Sequence, residues 1–265
     1  MKALQTAQKK RAPISEIARA LTPSKNTVVI AENETAVLPI FSAASGENIL
    51  EIFQRPHSKL TFAYIQNIES NAVSVIHIKL FLEEGARAES FIGVFGGRDS
   101  RLSIESCLVG RGASLREKTV FFGSENQILS MSSKTILEAP GSAAEVLSKG
   151  ILTGEAKGAF DGGIHILQSA KQGSARLIEH TLLLSQHAAM HAVPGLTIDT
   201  NDVFASHSAG ITRIDDEQRF YCESRGIPEK EAVRLIAEGF LKNTMENSPF
   251  QDSFSLLIDQ KLCAL

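Results

Sequence analysis

The sequence predicts a mainly β protein whose core is a stack of short strands, with helical segments at the two ends. Between Thr27 and Ile211 the residues Val, Ile, Leu, Phe, Ser and Thr dominate, and apolar residues repeatedly alternate with polar ones. Glycines recur at 85, 112, 141 and 173, spaced by 27, 29 and 32 residues. Such spacings are typical of β-helices and other solenoids, although a two-sheet sandwich with regular turns would give a similar pattern.

Residues 1–26 predict a polar leader followed by a short helix. Pro13 suits the first turn of a helix, and apolar residues follow at helical spacing at Ile14, Ile17, Ala18 and Leu21. The leader is mildly basic but lacks the apolar stretch of a secretory signal, so we expect a cytoplasmic protein. A transit peptide stays an alternative, against which the acidic Glu16 counts.

Residues 27–212 predict the β core. The stretch from Ala72 to Phe81 alternates with a period of two, and so does the stretch from Leu102 to Leu108. Apolar pairs such as Phe81-Leu82 precede a glycine by a few residues. We expect the apolar side chains to point inward and the small residues to allow sharp turns between strands.

Residues 213–265 predict a C-terminal helical segment. Asp215, Asp216 and Glu217 suit the start of a helix, and Gly226 suits its end. Pro228 then opens a second helix. Its predicted apolar stripe consists of Ala232, Leu235, Ile236, Gly239 and Phe240. A final helix is expected between Phe250 and Leu262.

Composition excludes several classes of protein. The chain has 27 basic and 30 acidic residues, whereas a protein that binds nucleic acid through phosphate contacts usually has a basic surplus. No stretch approaches 18 consecutive apolar residues, so we expect no membrane span. The three cysteines, Cys107, Cys222 and Cys263, are far apart and odd in number. A disulfide framework is therefore not expected.

The sequence lacks the common signatures of an enzyme. No GxxxxGK[ST] or GxSxG motif is present, and the HxxxH motif of His187 and His191 has Ala188 where a metalloprotease has glutamate. We therefore predict no catalytic residues and no tightly bound cofactor. A polysaccharide-active enzyme built on a β-solenoid is the rival hypothesis. Such an enzyme needs clustered carboxylates in a groove, whereas strand ends and helix starts account for Asp199, Asp202, Asp215 and Asp216.

His207 is the strongest candidate for a ligand of iron. Alternation places Val203, Ala205 and His207 on one side of a strand, with Asp202 and the neighbouring serines on the other. Neutral imidazole suits iron, copper and zinc. The alternative is a hydrogen-bonded histidine at a strand edge or an interface.

The stretch from Leu182 to Leu241 resembles the SufB/SufD family, the scaffold subunits of the SUF iron–sulfur cluster assembly system. The resemblance rests on the following segments, in order: Leu182-Leu183-Leu184-Ser185, Pro194-Gly195-Leu196-Thr197-Ile198, Asn201-Asp202-Val203, Ser206-His207, Arg213-Ile214-Asp215-Asp216-Glu217-Gln218-Arg219-Phe220-Tyr221 and Ser224-Arg225-Gly226-Ile227. It implies a right-handed parallel β-helix-like core with a short N-terminal helix and a C-terminal helical segment.

The resemblance also implies partners. In the family, the strand before the helical segment pairs the two scaffold subunits, which assigns Asp202, Val203, Ala205 and Ser206 to pairing. The helical segment docks the SufC ATPase, an ABC-type protein. That role falls here on Arg213, Asp215, Glu217, Phe220, Tyr221 and Arg225. A transient iron ion or cluster at the interface would then meet His207.

Two departures from SufB-type sequences favour a SufD-like member. Ala188 occupies the position of a SufB cysteine, and Ser206 and Ser208 flank His207 where SufB-type chains have acidic residues. Clusters favour cysteine ligands, so this chain is a poor primary holder of one. Its partner would be a SufB-type homologue or a second copy of itself. As an alternative role, Phe220 and Tyr221 would anchor their helix to the β core.

Overall fold

A computed structural model describes residues 25–42 and 45–263, and in them fourteen strands precede three α-helices. The predicted N-terminal helix lies outside these residues. The strands are β1 Lys25–Ile30, β2 Thr35–Ser42, β3 Gly46–Gln54, β4 Lys59–Ile68, β5 Val73–Leu82, β6 Arg87–Gly96, β7 Asp99–Leu108, β8 Ser114–Gly123, β9 Ile128–Leu137, β10 Ala143–Leu152, β11 Lys157–Ile166, β12 Gly173–Leu183, β13 Ala189–Ile198 and β14 Val203–Arg213. The helices are α1 Asp216–Ser224, α2 Glu229–Lys242 and α3 Gln251–Leu262, with a 3-10 turn at Asn243–Met245.

The strands form two parallel seven-stranded sheets. Sheet A contains the odd-numbered strands in the order β1-β3-β5-β7-β9-β11-β13, and sheet B contains the even-numbered strands from β2 to β14 in sequential order. Each turn of the chain therefore adds one strand to each sheet. The prediction of a parallel β-helix is confirmed, and the sandwich alternative is wrong, because a sandwich pairs its strands mainly antiparallel.

Glycines at one corner of the solenoid explain most of the sequence repeat. Gly85, Gly112 and Gly141 have φ of +62°, +66° and +69°, and their N–H groups donate to carbonyl oxygens of the next turn at 2.9–3.0 Å. The prediction that Gly173 forms the fourth corner of this kind is wrong. Gln172, with φ of +58°, occupies the corner and donates to the carbonyl oxygen of Asp202, whereas Gly173 already begins β12.

Alternation along the strands separates the core from the surface. Inward-facing residues stack in register, as Leu50, Ile78 and Ile104 do on three neighbouring strands of sheet A, and all three are buried. Such stacks form one continuous apolar core through the solenoid. Burial of this apolar area supplies the main stabilisation of the fold.

The last two helices cover the outer face of sheet B. Ala237 and Leu241 of α2, with Phe254 and Ile258 of α3, join one buried cluster with residues of the even-numbered strands from β2 to β12. The predicted stripe of α2 is partly wrong, because Leu235 is 47% exposed. The face of α2 that packs on sheet B is the one bearing Ala237 and Leu241. The longest helix described has 14 residues, and none is long and apolar enough to cross a bilayer.

Candidate functional site

The last turn of the β-helix carries the predicted pairing strand. β14 hydrogen-bonds to β12 in sheet B and β13 to β11 in sheet A, and each is the terminal strand of its sheet. On their outer sides no further strand lies within residues 25–42 and 45–263. Both sheets thus end at the same turn and present unpaired backbone groups there, an arrangement that invites pairing with another chain.

His207 lies on the inward side of β14. Val203 and Ala205, four and two residues earlier on the same side, pack partly buried against the core. His207 stands in register with the fully buried Leu177 of β12, yet it is itself exposed. The reason is its position in the terminal rung, beyond which no further turn within the described part of the chain covers the inward face.

The outward side of β14 presents a large apolar residue. Phe204 is 85% exposed, and Ser206 beside it is exposed as well. Asp202 precedes the strand, and its backbone carbonyl accepts the hydrogen bond of the Gln172 N–H, so it lies at the corner that leads into β14. The four residues assigned to pairing therefore lie together at one edge, with Asp202 just outside the strand.

The edge carries further exposed apolar residues that we did not predict. Val193 and Ile198 of β13 are 48% and 43% exposed, and Ile211 of β14 is 43% exposed. Strand parity places Phe204 outward and could have identified it. The exposure of the others follows from the end of both sheets at one turn, which the sequence did not reveal.

A groove of about 940 Å³ crosses the beginnings of the even-numbered strands and ends at Phe204, Ala205 and Ser206. Charged side chains line it. Arg116 bridges Glu89 at 2.9 Å and Glu145 at 3.4 Å. These pairs are half exposed to water and neutralise one another, so the groove wall contributes little net stability.

Helix α1 follows β14 directly and buries none of its residues. Arg213, at the end of β14, donates to the backbone carbonyl of Ser185 at 2.6 Å and so ties the strand end to the turn before β13. Asp215 caps the helix by accepting a hydrogen bond from the N–H of Glu217 at 2.9 Å. Gly226, with φ of +83°, lies just beyond its end, as predicted.

The two aromatic residues of α1 point to solvent. Phe220 is 71% and Tyr221 is 61% exposed, so the alternative that they anchor the helix to the β core is wrong. The guanidinium of Arg225 lies 5.2 Å from the centre of the Tyr221 ring. Arg219 forms exposed ion pairs with Asp216 of the same helix at 2.9 Å and with Glu229 of α2 at 3.4 Å.

The cysteines do not supplement His207. Cys107 is buried on sheet A, and burial, followed by the charges of Glu105 and Glu138, raises the pKa of its thiol to about 11. A thiol of this kind is a poor ligand, because metals bind the thiolate. Within the described residues, no group of three His, Cys, Asp or Glu side chains is arranged to hold a metal ion.

Comparison with known proteins gives one consistent family. A family model described as SUF system FeS cluster assembly, SufBD core domain, matches residues 17–240. The iron–sulfur cluster assembly SufBD family protein of Staphylococcus epidermidis is 25% identical over 235 residues, and those of Staphylococcus haemolyticus and Staphylococcus aureus are 24% identical. Each alignment covers 86% of this chain and 50% of the relative. The chain thus spans about half the length of these curated relatives.

Proposed function

The chain belongs to the SufBD family of the SUF iron–sulfur cluster assembly system, and we propose that it works there as a SufD-like scaffold subunit without catalytic activity of its own. It pairs through its last turn with a SufB-type homologue or with a second copy. A SufC-type ABC ATPase docks on α1 and supplies the energy of assembly.

The observation that carries this proposal is the exposed last turn of the solenoid, formed by β13 and β14. β13 and β14 are the terminal strands of the two sheets, and Val193, Phe204 and Ile211 are exposed along them. A partner strand would satisfy the unpaired backbone groups, and its side chains would cover these apolar residues. Pairing would also bury the inward side of β14, on which His207 lies.

His207 is the residue that we assign to the cargo, an iron ion or a nascent cluster. A single imidazole holds iron weakly, so the other ligands would come from the partner subunit. Clusters are held chiefly by thiolates, and a SufB-type partner would supply them. The SufD-like assignment rests on the chain having Ala188 and two serines where SufB-type sequences have a cysteine and acidic residues.

Helix α1 is the surface that we assign to the ATPase. Aromatic residues and arginine are enriched where proteins bind one another, and Phe220, Tyr221 and Arg225 lie together on an exposed helix. Asp215 and Glu217 at its first turn add negative charge around the aromatics. The helix follows β14 directly, so motion of the docked ATPase would be transmitted to the pairing strand.

The rival hypothesis of a polysaccharide-active enzyme finds no support in the placement of the carboxylates. Asp199 is paired with His165 at 2.8 Å, Asp202 lies in a turn, and Asp215 caps α1. Two carboxylates that share one substrate should face each other across a cleft.

Co-purification of variants that each change one of the two surfaces, or His207, tests the proposal. Phe204→Asp should weaken pairing and leave the ATPase bound, whereas Phe220→Ala with Tyr221→Ala should release the ATPase and leave pairing intact. His207→Ala should retain both partners and lower cluster formation. Leu235→Ala is the matched control, because Leu235 is an exposed apolar residue on α2, outside both surfaces.

The outcomes separate the alternatives. Recovery with a cysteine-bearing homologue and an ABC ATPase supports the SufD-like role. A homodimer without either partner would replace it by a self-pairing scaffold. Unchanged cluster formation in His207→Ala would exclude this histidine as a ligand, and a monomer that binds no ATPase would contradict the proposal as a whole.

A further inference from the structure

A carboxyl group is enclosed in the apolar interior of the β-helix. Glu117 of β8 is 1% exposed. Its Oε1 accepts a hydrogen bond from the Ser133 hydroxyl of β9, across the interior, at 2.7 Å. Its Oε2 is buried without any hydrogen-bond partner. One half of this carboxyl group is therefore satisfied and the other half is not.

Two further hydroxyl groups share this part of the interior. Ser106 of β7 and Thr135 of β9 are partners in register on sheet A, and Thr135 lies two residues beyond Ser133 on the same face. The hydroxyl oxygens of Ser106 and Thr135 are also buried without a partner. The three orphaned oxygen atoms thus belong to Glu117 and to a register pair that lies two positions along sheet A from Ser133.

Such groups seldom stay unsatisfied in folded proteins. A buried polar atom without a partner is costly, and globular proteins commonly relieve the cost with an enclosed water molecule that makes about three hydrogen bonds. Here the three partners of the water molecule would be the Oε2 of Glu117 and the hydroxyls of Ser106 and Thr135. Hydroxyl groups can donate or accept, so one water molecule can satisfy all three.

No positive charge compensates the carboxyl group. Of the described residues that are buried, none is a lysine or an arginine. Beside Glu117 in sheet B stand Ser90 on β6 and Val146 on β10, and Ser133 on β9 contacts it from sheet A. None of these side chains, nor those of Ser106 and Thr135, titrates near neutral pH. Burial raises the pKa of Glu117 to about 7, against the opposing effect of the Ser133 hydrogen bond.

We propose that the interior of the β-helix holds a binding site for one proton and one water molecule, in which Glu117 is a neutral acid and the water links it to Ser106 and Thr135. The carboxylate takes up a single proton from solvent as the chain folds, and no other reactant is needed. The site is independent of the partners proposed above.

The site has a measurable consequence, because the folded chain binds a proton that the unfolded chain releases. An ordinary glutamate loses its proton near pH 4.5, whereas Glu117 retains its proton up to about pH 7. Stability from this group is complete below the lower value and is lost as the pH rises through the upper one. Between about pH 5 and pH 8 the unfolding constant should rise about 10- to 100-fold on account of Glu117 alone.

The test compares urea unfolding of the full chain and of Glu117→Gln over this pH range. Glutamine keeps the shape of the side chain and cannot ionise, so the variant should lose this part of the pH dependence. Its free energy of unfolding should therefore increase relative to that of the parent as the pH rises. Glu155→Gln is the matched control, because Glu155 is exposed in the same solenoid. A constant difference between parent and Glu117→Gln at every pH would overturn the proposal.

Two measurements that leave Glu117 in place keep the test independent of the folding of Glu117→Gln. Infrared difference spectra near pH 6 should show the carbonyl band of a neutral, hydrogen-bonded carboxylic acid in Glu179→Gln, a background that removes the second buried glutamate with a pKa of about 7. A high-resolution crystal structure of the parent should show a water molecule beside Oε2. Absence of both would overturn the proposal. Stabilisation of the parent by added Mg²⁺ or K⁺ that Glu117→Gln lacks would assign the site to a cation instead of a proton.

Discussion

The attachment of the C-terminal helices to the β-helix predicts the effect of Phe254→Ala. Phe254 of α3 is fully buried, and it approaches sheet B so closely that a Cβ added at Gly93 would lie 2.9 Å from its ring. Truncation of a buried phenylalanine costs about 3–5 kcal/mol, because the transfer free energy is lost and a cavity is left. For a chain of this size the melting temperature should fall by about 6–20 °C.

Circular dichroism during urea and thermal unfolding measures this change, and Leu256→Ala is its control. Leu256 lies on the same helix but is 51% exposed, so its truncation should alter stability by about 0.5 kcal/mol at most. Backbone amides in the strands of sheet B that the helices cover should exchange hydrogen faster in Phe254→Ala than in the parent. Equal losses in the two variants, or a loss below about 1 kcal/mol for Phe254→Ala, would refute the inference that the helices are an integral layer of the fold.

Three further predictions concern the interior, a corner and the helical layer. Gly150→Ala should destabilise the fold by about 1–3 kcal/mol, since its Cβ would lie 1.9 Å from the ring of Phe121. Gly141→Ala has open space for its Cβ but a φ of +69°, so it should destabilise the fold by about 1–2 kcal/mol. Urea midpoints compare the two, and a harmless Gly150→Ala would contradict the packing. Burial raises the pKa of Glu179 to about 7. As the pH rises from about 5 to 8, the unfolding constant of the parent should therefore increase relative to that of Glu179→Gln, on the order of tenfold. Equal pH dependence of the two in urea unfolding would contradict this. Lys242→Met should cost about 1 kcal/mol through its lost ion pairs with the carboxylates of α2 and α3, at 2.6 Å and 2.8 Å. That cost should shrink in about 1 M salt, and a salt-independent loss would contradict it.

The β core was predictable because its signals are local. The strand expected from Ala72 to Phe81 is β5, Val73–Leu82, and the strand expected from Leu102 to Leu108 is the larger part of β7. Alternation with a period of two depends only on one face being buried, and that holds along these strands of sheet A, whereas in sheet B the helices bury part of the second face as well. The corner at 173 was missed because a glutamine adopts the left-handed conformation when the fold holds it there.

The helical layer and the site were less predictable, because they depend on contacts distant in sequence. Either of two neighbouring faces of α2 could have been buried, and only the docking on sheet B exposes Leu235. Parity placed His207 on one side of its strand with Val203 and Ala205, and the structure shows that this side is the inward one. The same parity places Glu117 among inward residues, but only the structure shows that no cation accompanies it.

The course of the chain after β14 explains why the last turn is bare. Residues beyond Arg213 could have folded over the end of the solenoid and closed it. Instead α2 and α3 turn back along sheet B, where their buried residues join a cluster with strands from β2 to β12 and, in the part of the chain that the structure describes, with no residue of β13 or β14. A β-helix cannot satisfy its own terminal edge, so that edge must be covered by solvent or by another chain. The exposure of Phe204 and His207 at this edge therefore follows from the path of the C-terminal helices, and a partner that pairs with β14 would meet both residues at once.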